Sequence, residues 1–192
     1  GTVTDAYQPA EARYEITRSS LDILVGYPHL EVHVLTKSNL VQRDIPVLRQ
    51  LQRCEVGLTI TTLDPGISRV LEPGAPAPGL RLEAAGELKK AGIPVWVFIA
   101  PLLPGLTDTE ESLTTLFQGL RKNGIRNIQV DCLNPYATVV HSLRNAYRSH
   151  FPRALAALEE SLLHPASYRR ETAGRIHKLI SREGNGDEVR AV

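Results

Sequence analysis

The chain has 192 residues, 42% of them hydrophobic and 22% charged, with a formal net charge of +1. That is enough for one domain with a sizeable core, and the charge balance excludes a strong general attraction to nucleic acid or to an anionic membrane surface. No apolar run approaches the roughly 20 residues that cross a bilayer. The two cysteines, Cys54 and Cys132, lie far apart and outside any CxxC pair. They read as reduced thiols of a cytoplasmic protein and cannot by themselves hold zinc or an iron–sulfur cluster.

In chain order, β-branched Thr2 to Thr4 read as the end of a strand, followed at once by polar Asp5, Tyr7 and Gln8. Ile16, Leu21, Leu24 and Val25 recur at helical spacing up to Gly26. Leu30 to Lys37 alternates as a strand, and Asp44 before Pro46 reads as the cap of a helix carrying Val47, Leu48 and Leu51. Val56 to Thr62 is the next strand, and Asp64-Pro65 opens a short helix. Leu71 to Pro78 is a rigid Pro- and Gly-rich bend.

A helix over 81–90 then places Leu82, Ala85 and Leu88 on one face, before the continuous apolar strand Ile93 to Ala100. Asp108 reads as the cap of a helix ending at Gly124, and Ile125 to Leu133 is the last clear strand. From Val139 the pattern is helical only, around Ala154–Leu163 and Tyr168–Ile180, with a polar, frayed end at Gly184–Glu188.

Strand and helix therefore alternate five times with short connections, the signature of parallel βαβ units. Five strands do not close an eight-stranded barrel, and no glycine-rich phosphate loop follows any strand, so the expectation is a partial barrel. Its chemistry belongs at the C-terminal strand ends. There the sequence offers Thr4, Asp5 and Tyr7, then Thr36, Lys37 and Ser38, then Thr59, Thr61 and Thr62, then Ala100 and Pro101, then Asn134 and Tyr136. This set suits a polar small molecule bearing a carboxylate, which Lys37 would pair. Two alternatives stand beside it: a Schiff-base aldolase using Lys37, and a non-catalytic nucleic-acid-binding module using the arginine-rich tail. That tail (Arg144, Arg148, Arg153, Arg169, Arg170, Arg175, Lys178, Arg182) also carries Glu159, Glu160, Glu171 and Glu183, as a solvated helical face would.

Several stretches, in order, carry a resemblance. They are Gly1-Thr2-Val3-Thr4-Asp5 with Tyr7-Gln8-Pro9-Ala10-Glu11, Leu35-Thr36-Lys37-Ser38, Ile60-Thr61-Thr62-Leu63-Asp64 and Leu71-Glu72-Pro73-Gly74-Ala75-Pro76. Arg81-Leu82-Glu83-Ala84, Ala91-Gly92-Ile93-Pro94-Val95 and Ile99-Ala100-Pro101 with Pro104-Gly105-Leu106-Thr107-Asp108 complete them. Together they resemble radical S-adenosylmethionine enzymes of the spore photoproduct lyase type. The resemblance implies an α/β fold, a parallel partial TIM-type (βα)6 barrel. It would occupy residues 1–136 as strands two to six, with a C-terminal helical extension over 137–192.

It further implies S-adenosylmethionine bound to a [4Fe-4S] cluster, an external electron donor, and a 5′-deoxyadenosyl radical that abstracts a substrate hydrogen. Thr4, Lys37 and Thr59 match positions that contact S-adenosylmethionine, and Ala100 and Pro101 match the apolar step near the adenine. Asp5, Tyr7, Asn134 and Tyr136 are the candidate substrate residues.

Two departures qualify what is implied. The family's CxxxCxxC cluster motif is absent, and the family places it ahead of the strand that ends at Thr4. The chain therefore reads as a fragment without the first strand, the cluster loop and most of the second strand, inactive alone and prone to self-association through an open sheet edge. Val3 stands where spore photoproduct lyase has a hydrogen-donating cysteine, and an isopropyl group cannot return a hydrogen to a product radical. The resemblance thus does not extend to repair of thymine dimers in DNA.

Overall fold

A computed structural model describes residues 4–183 and 188–191. The elements run α1 (Glu11–Tyr14), α2 (Ile16–Leu24), β1 (Val32–Thr36), a 3-10 helix (Asn39–Asp44), α3 (Ile45–Leu48), β2 (Cys54–Thr59), α4 (Pro65–Leu71), α5 (Pro78–Lys90), β3 (Val95–Leu102), α6 (Glu110–Lys122) and β4 (Asn127–Cys132). They continue with α7 (Ala137–His150), a second 3-10 turn (Pro152–Ala154), α8 (Leu155–Leu163), α9 (Pro165–Glu183) and β5 (Glu188–Ala191). The strands form one sheet in sequential order, and every neighbouring pair is parallel. This is the expected α/β class with parallel strands joined through helices. Among the described residues no helix is long and apolar enough to cross a membrane.

Alternation along each strand divides the sheet into two faces. Val34, Val56, Leu58, Val97, Ile99, Ile128 and Val130 pack into one core with Ala84, Ala85 and Leu88 of α5, Leu113, Leu116, Phe117 and Leu120 of α6, and Ile176 and Leu179 of α9. The opposite face carries Leu35, Gly57, Trp96 and Asn127 in one row of the register and Thr59, Phe98, Gln129 and Arg190 in the next. Trp96 and Phe98 meet edge to face there, with ring centroids 5.9 Å apart. A second apolar cluster forms beyond the strand ends, where Leu103, Leu106 and Leu133 meet Tyr147, Ala154 and Leu158.

The structure corrects several sequence expectations. Gly1 to Val3, including the residue that replaces the lyase cysteine, lie outside the described residues; Thr4 is an exposed bend rather than a strand residue. The tail is not helical throughout, because Glu188–Ala191 adds a fifth strand beside β4 and Val189 packs against the core. Four residues are too few for an alternation to stand out of a polar segment. Asp44 does not cap α3: it is buried against Arg43, with Nε–Oδ1 2.8 Å and Nη2–Oδ2 3.0 Å. The cap of α6 is Thr109, whose hydroxyl accepts from the Ser112 N–H at 3.2 Å. Asp108 instead accepts from the Gly105 N–H at 2.7 Å and pairs with Arg175 at 3.4 Å. In each case another pairing takes the carboxylate away from the cap.

Candidate functional site

Parallel pairing brings the C-terminal ends of β1 to β4 to one side of the sheet. At the end of β1, Asp5 binds the segment ahead of α1 to the strand. Its Oδ1 accepts from the Tyr7 N–H at 2.8 Å and from the Thr36 hydroxyl at 2.6 Å, and its Oδ2 accepts from the Lys37 N–H at 2.7 Å. Thr36 in turn accepts from the Ser38 N–H at 2.9 Å. Tyr7 is only 2% exposed and belongs to the core, where burial and the neighbouring Asp44 carboxylate push its phenol well above the ordinary range.

The Lys37 side chain continues from this clamp to Glu72, with Nζ–Oε1 2.6 Å. Glu72 follows the last turn of α4, and its other oxygen meets Arg81 Nη2 at 2.7 Å. Arg81 is 0% exposed, and each of its three side-chain nitrogens has a partner. Nε donates to the Pro76 carbonyl at 2.8 Å, Nη1 to the Thr59 carbonyl at 3.0 Å, and Nη2 also to the Ser68 hydroxyl at 3.2 Å. One guanidinium thus holds the last residue of β2, the bend after α4 and the Glu72 carboxylate together. Burial alone would raise the Glu72 carboxyl, but Lys37 and Arg81 outweigh it and hold it below its ordinary value.

The other strand ends are less polar. Ala100 and Pro101 sit half-buried where the β3–β4 register shifts between Ile99 and Leu102. Such an irregularity accommodates a proline, which has no N–H for the ladder. The Thr59 side chain is buried, whereas Asn134 and Tyr136 are exposed, Tyr136 to 65%. Asp5 therefore meets the backbone of Lys37, and Glu72 and Arg81 link the Lys37 ammonium to the Thr59 carbonyl. Tyr7 lies beneath it in the core, Thr4 is exposed at its rim, and Asn134 and Tyr136 stand beyond the end of β4.

Glu72 and Arg81 were not singled out by sequence reasoning, although a signal was there. Arg81, Ala84, Ala85 and Leu88 share one helical stripe and are all buried, so the stripe read through Leu82 has an arginine at a core position. An arginine among alanines and leucines on a buried face demands a carboxylate partner, and Glu72 stands nine residues earlier across a rigid bend.

Neither cysteine is disposed as a metal ligand. Cys54 is on β2 and Cys132 on β4, and burial pushes the first thiol up to about 11 and raises the second. Thiolate ligands need the opposite shift. Among the described residues, no group of three or more His, Cys, Asp or Glu side chains is placed to hold a metal ion. These residues therefore do not fit the ligand set of an iron–sulfur cluster. Nor is Lys37 desolvated as a Schiff-base lysine must be: its side chain is 40% exposed and its ammonium is engaged by Glu72. On the tail, Arg144 is paired fork to fork with Glu159, at 2.8 and 2.6 Å.

Two solved structures share this architecture. Spore photoproduct lyase complexed with dinucleoside spore photoproduct superposes with a TM-score of 0.62, covering 92% of this chain and 55% of that one at 15% identity. SuiB of Streptococcus suis bound to S-adenosylmethionine superposes at 0.56, covering 94% and 37% at 12% identity. The fold is theirs. Among curated proteins, an uncharacterized protein of Mycobacterium tuberculosis is 30% identical over 199 residues, 95% of this chain and 55% of that protein. One of Methanocaldococcus jannaschii is 36% identical over 109 residues, 57% and 41%. The chain thus spans about half the length of the curated relatives it matches. No protein-family model matches the sequence.

Proposed function

We propose that the chain forms the S-adenosylmethionine-binding wall of a radical S-adenosylmethionine enzyme. The observation that carries this reading is Lys37. A lysine ammonium stands partly exposed at the C-terminal end of a barrel strand, in a fold shared with SuiB and spore photoproduct lyase. In this reading Lys37 pairs the cofactor's carboxylate, Thr59 and Thr4 contribute polar contacts, and Ala100 and Pro101 offer the apolar step beside the adenine. Asp5, Asn134 and Tyr136 belong to the substrate side, and residues 1–136 form most of the barrel portion, with 137–192 as a mainly helical extension that returns one strand to the sheet.

When bound, such a cofactor supplies the radical chemistry, while the protein supplies binding, orientation and exclusion of water. The cluster's ligands are expected from a segment outside this chain, because the described residues do not supply them.

Two measurements test the reading. Calorimetric titration of the chain with S-adenosylmethionine should show binding, weakened about tenfold or more by Lys37→Met, as expected for the loss of one charge-assisted contact. The coding sequence ahead of Gly1 should contain an in-frame CxxxCxxC segment. A wild-type chain that does not bind, or an upstream frame without that motif, would overturn the proposal.

A further inference from the structure

We propose that Glu72 is a positioning residue. It sets the Lys37 ammonium at the strand ends so that a ligand carboxylate meets it there, and Arg81 fixes Glu72 in turn. This rests on the reading of Lys37 as a cofactor contact and extends it to two residues that do not themselves touch the ligand.

The charge count comes first. Arg81 and Glu72 neutralise each other inside the protein, where a lone buried charge would be untenable. Lys37 adds a second cation to an already balanced pair, and its ammonium is the member of the triad at the exposed end, while the Asp5 carboxylate is engaged with backbone donors at the base of the lysine. An isolated structural ion pair has no need of that third member. A site for a single carboxylate does.

The donor count comes second. An ammonium has three N–H donors, and Glu72 Oε1 takes one at 2.6 Å. The side chain keeps enough exposure for a second oxygen to reach the others. Arg81, by contrast, is buried and held at all three nitrogens, by Pro76, Thr59, Ser68 and Glu72. The rigid end of the relay is buried and the adjustable end faces outward.

The backbone supports the same arrangement. The Lys37 N–H is held by Asp5 and its ammonium by Glu72, so a long, rotamer-rich side chain is pinned at both ends before any ligand arrives. That lowers the ordering cost of binding, which is what preorganisation contributes.

The test keeps the charge constant. Glu72→Asp retains the carboxylate but shortens its reach, so Arg81 stays paired while Lys37 is drawn off position. S-adenosylmethionine, titrated calorimetrically against the full chain, should bind about tenfold more weakly to Glu72→Asp, an effect of misplacement rather than of charge. The same substitution in a Lys37→Met background should change nothing. Unchanged affinity in Glu72→Asp, or an equal loss in both backgrounds, would overturn the role of Glu72 while leaving Lys37 as a contact. A wild-type chain that fails to bind would overturn the reading of Lys37 as well.

A second measurement needs no variant. The chain has five lysines (Lys37, Lys89, Lys90, Lys122 and Lys178), so their labelled ammonium groups can be assigned by NMR. Lys37 should give the most ordered and slowly exchanging signal in the ligand-free protein. A Lys37 ammonium as mobile as that of Lys89 would overturn the proposal.

Discussion

Gly57 and Trp96 stand opposite each other in the β2–β3 register, and the indole occupies the space that a side chain at 57 would need. A Cβ there would come within 2.5 Å of Cε2 and Cζ2 of the ring. The glycine is required by close approach on the sheet face opposite the helical core. Gly57→Ala should therefore destabilise the fold by about 1–3 kcal/mol through overpacking against a rigid ring. Urea unfolding checks this, and pairing the change with Trp96→Phe should recover part of the loss.

Arg81 is the buried charge whose removal should matter most. Arg81→Met takes one of the two cations from the largely buried Glu72 and unpairs the Thr59 and Pro76 carbonyls, so a loss of about 3–5 kcal/mol is expected. The double variant Glu72→Gln, Arg81→Met leaves no uncompensated buried charge and should be more stable than Arg81→Met alone. A double-mutant cycle in denaturant measures this coupling.

Acid should weaken the same network. The Glu72 carboxyl lies below its ordinary value in the folded protein, so as pH falls the unfolded chain takes up this proton first. Its contribution is complete above the unfolded value of about 4.3 and is lost as pH drops through the folded one. Stability measured from about pH 5 downward should fall more steeply in the wild type than in the Glu72→Gln, Arg81→Met variant.

His33 offers a second titration with the opposite sign. Its Nδ1 lies 2.8 Å from Glu55 Oε1 and its Nε2 lies 3.7 Å from Glu31. The hydrogen bond to Glu55 raises its pKa above the ordinary value, and desolvation opposes it. NMR titration should find the imidazole protonated to higher pH than an ordinary histidine, and Glu55→Gln should bring it back down.

Among the described strands β1 is an edge, and Leu35 on it is 41% exposed, with Tyr14, Ile16, Ile23 and Tyr27 exposed on and beside α1 and α2. An edge with apolar side chains favours pairing with another chain. Sedimentation should show concentration-dependent self-association that Leu35→Lys reduces. A monomer at all concentrations would contradict it.

Most of the architecture could be read from the residues because β2 to β4 bury one face in an unbroken apolar pattern and prolines and glycines punctuate the rest. Gly124, at φ +74°, ends its helix as the sequence indicated. What escaped was set by side-chain partners rather than by local pattern. Asp44 and Asp108 look like caps until Arg43 and Arg175 are seen beside them, and Arg81 looks like a surface residue until its stripe is seen to face inward. Lys37 was legible as a carboxylate partner, but the carboxylate it meets in this structure is the protein's own.

The Asp5 carboxylate has a mechanical consequence. It holds the backbone of Tyr7 with one oxygen and that of Lys37 with the other. The loop leading into α1 and the base of the lysine are therefore a single lever. A displacement of this loop would therefore pull on the backbone at the base of Lys37 while Glu72 still holds its ammonium.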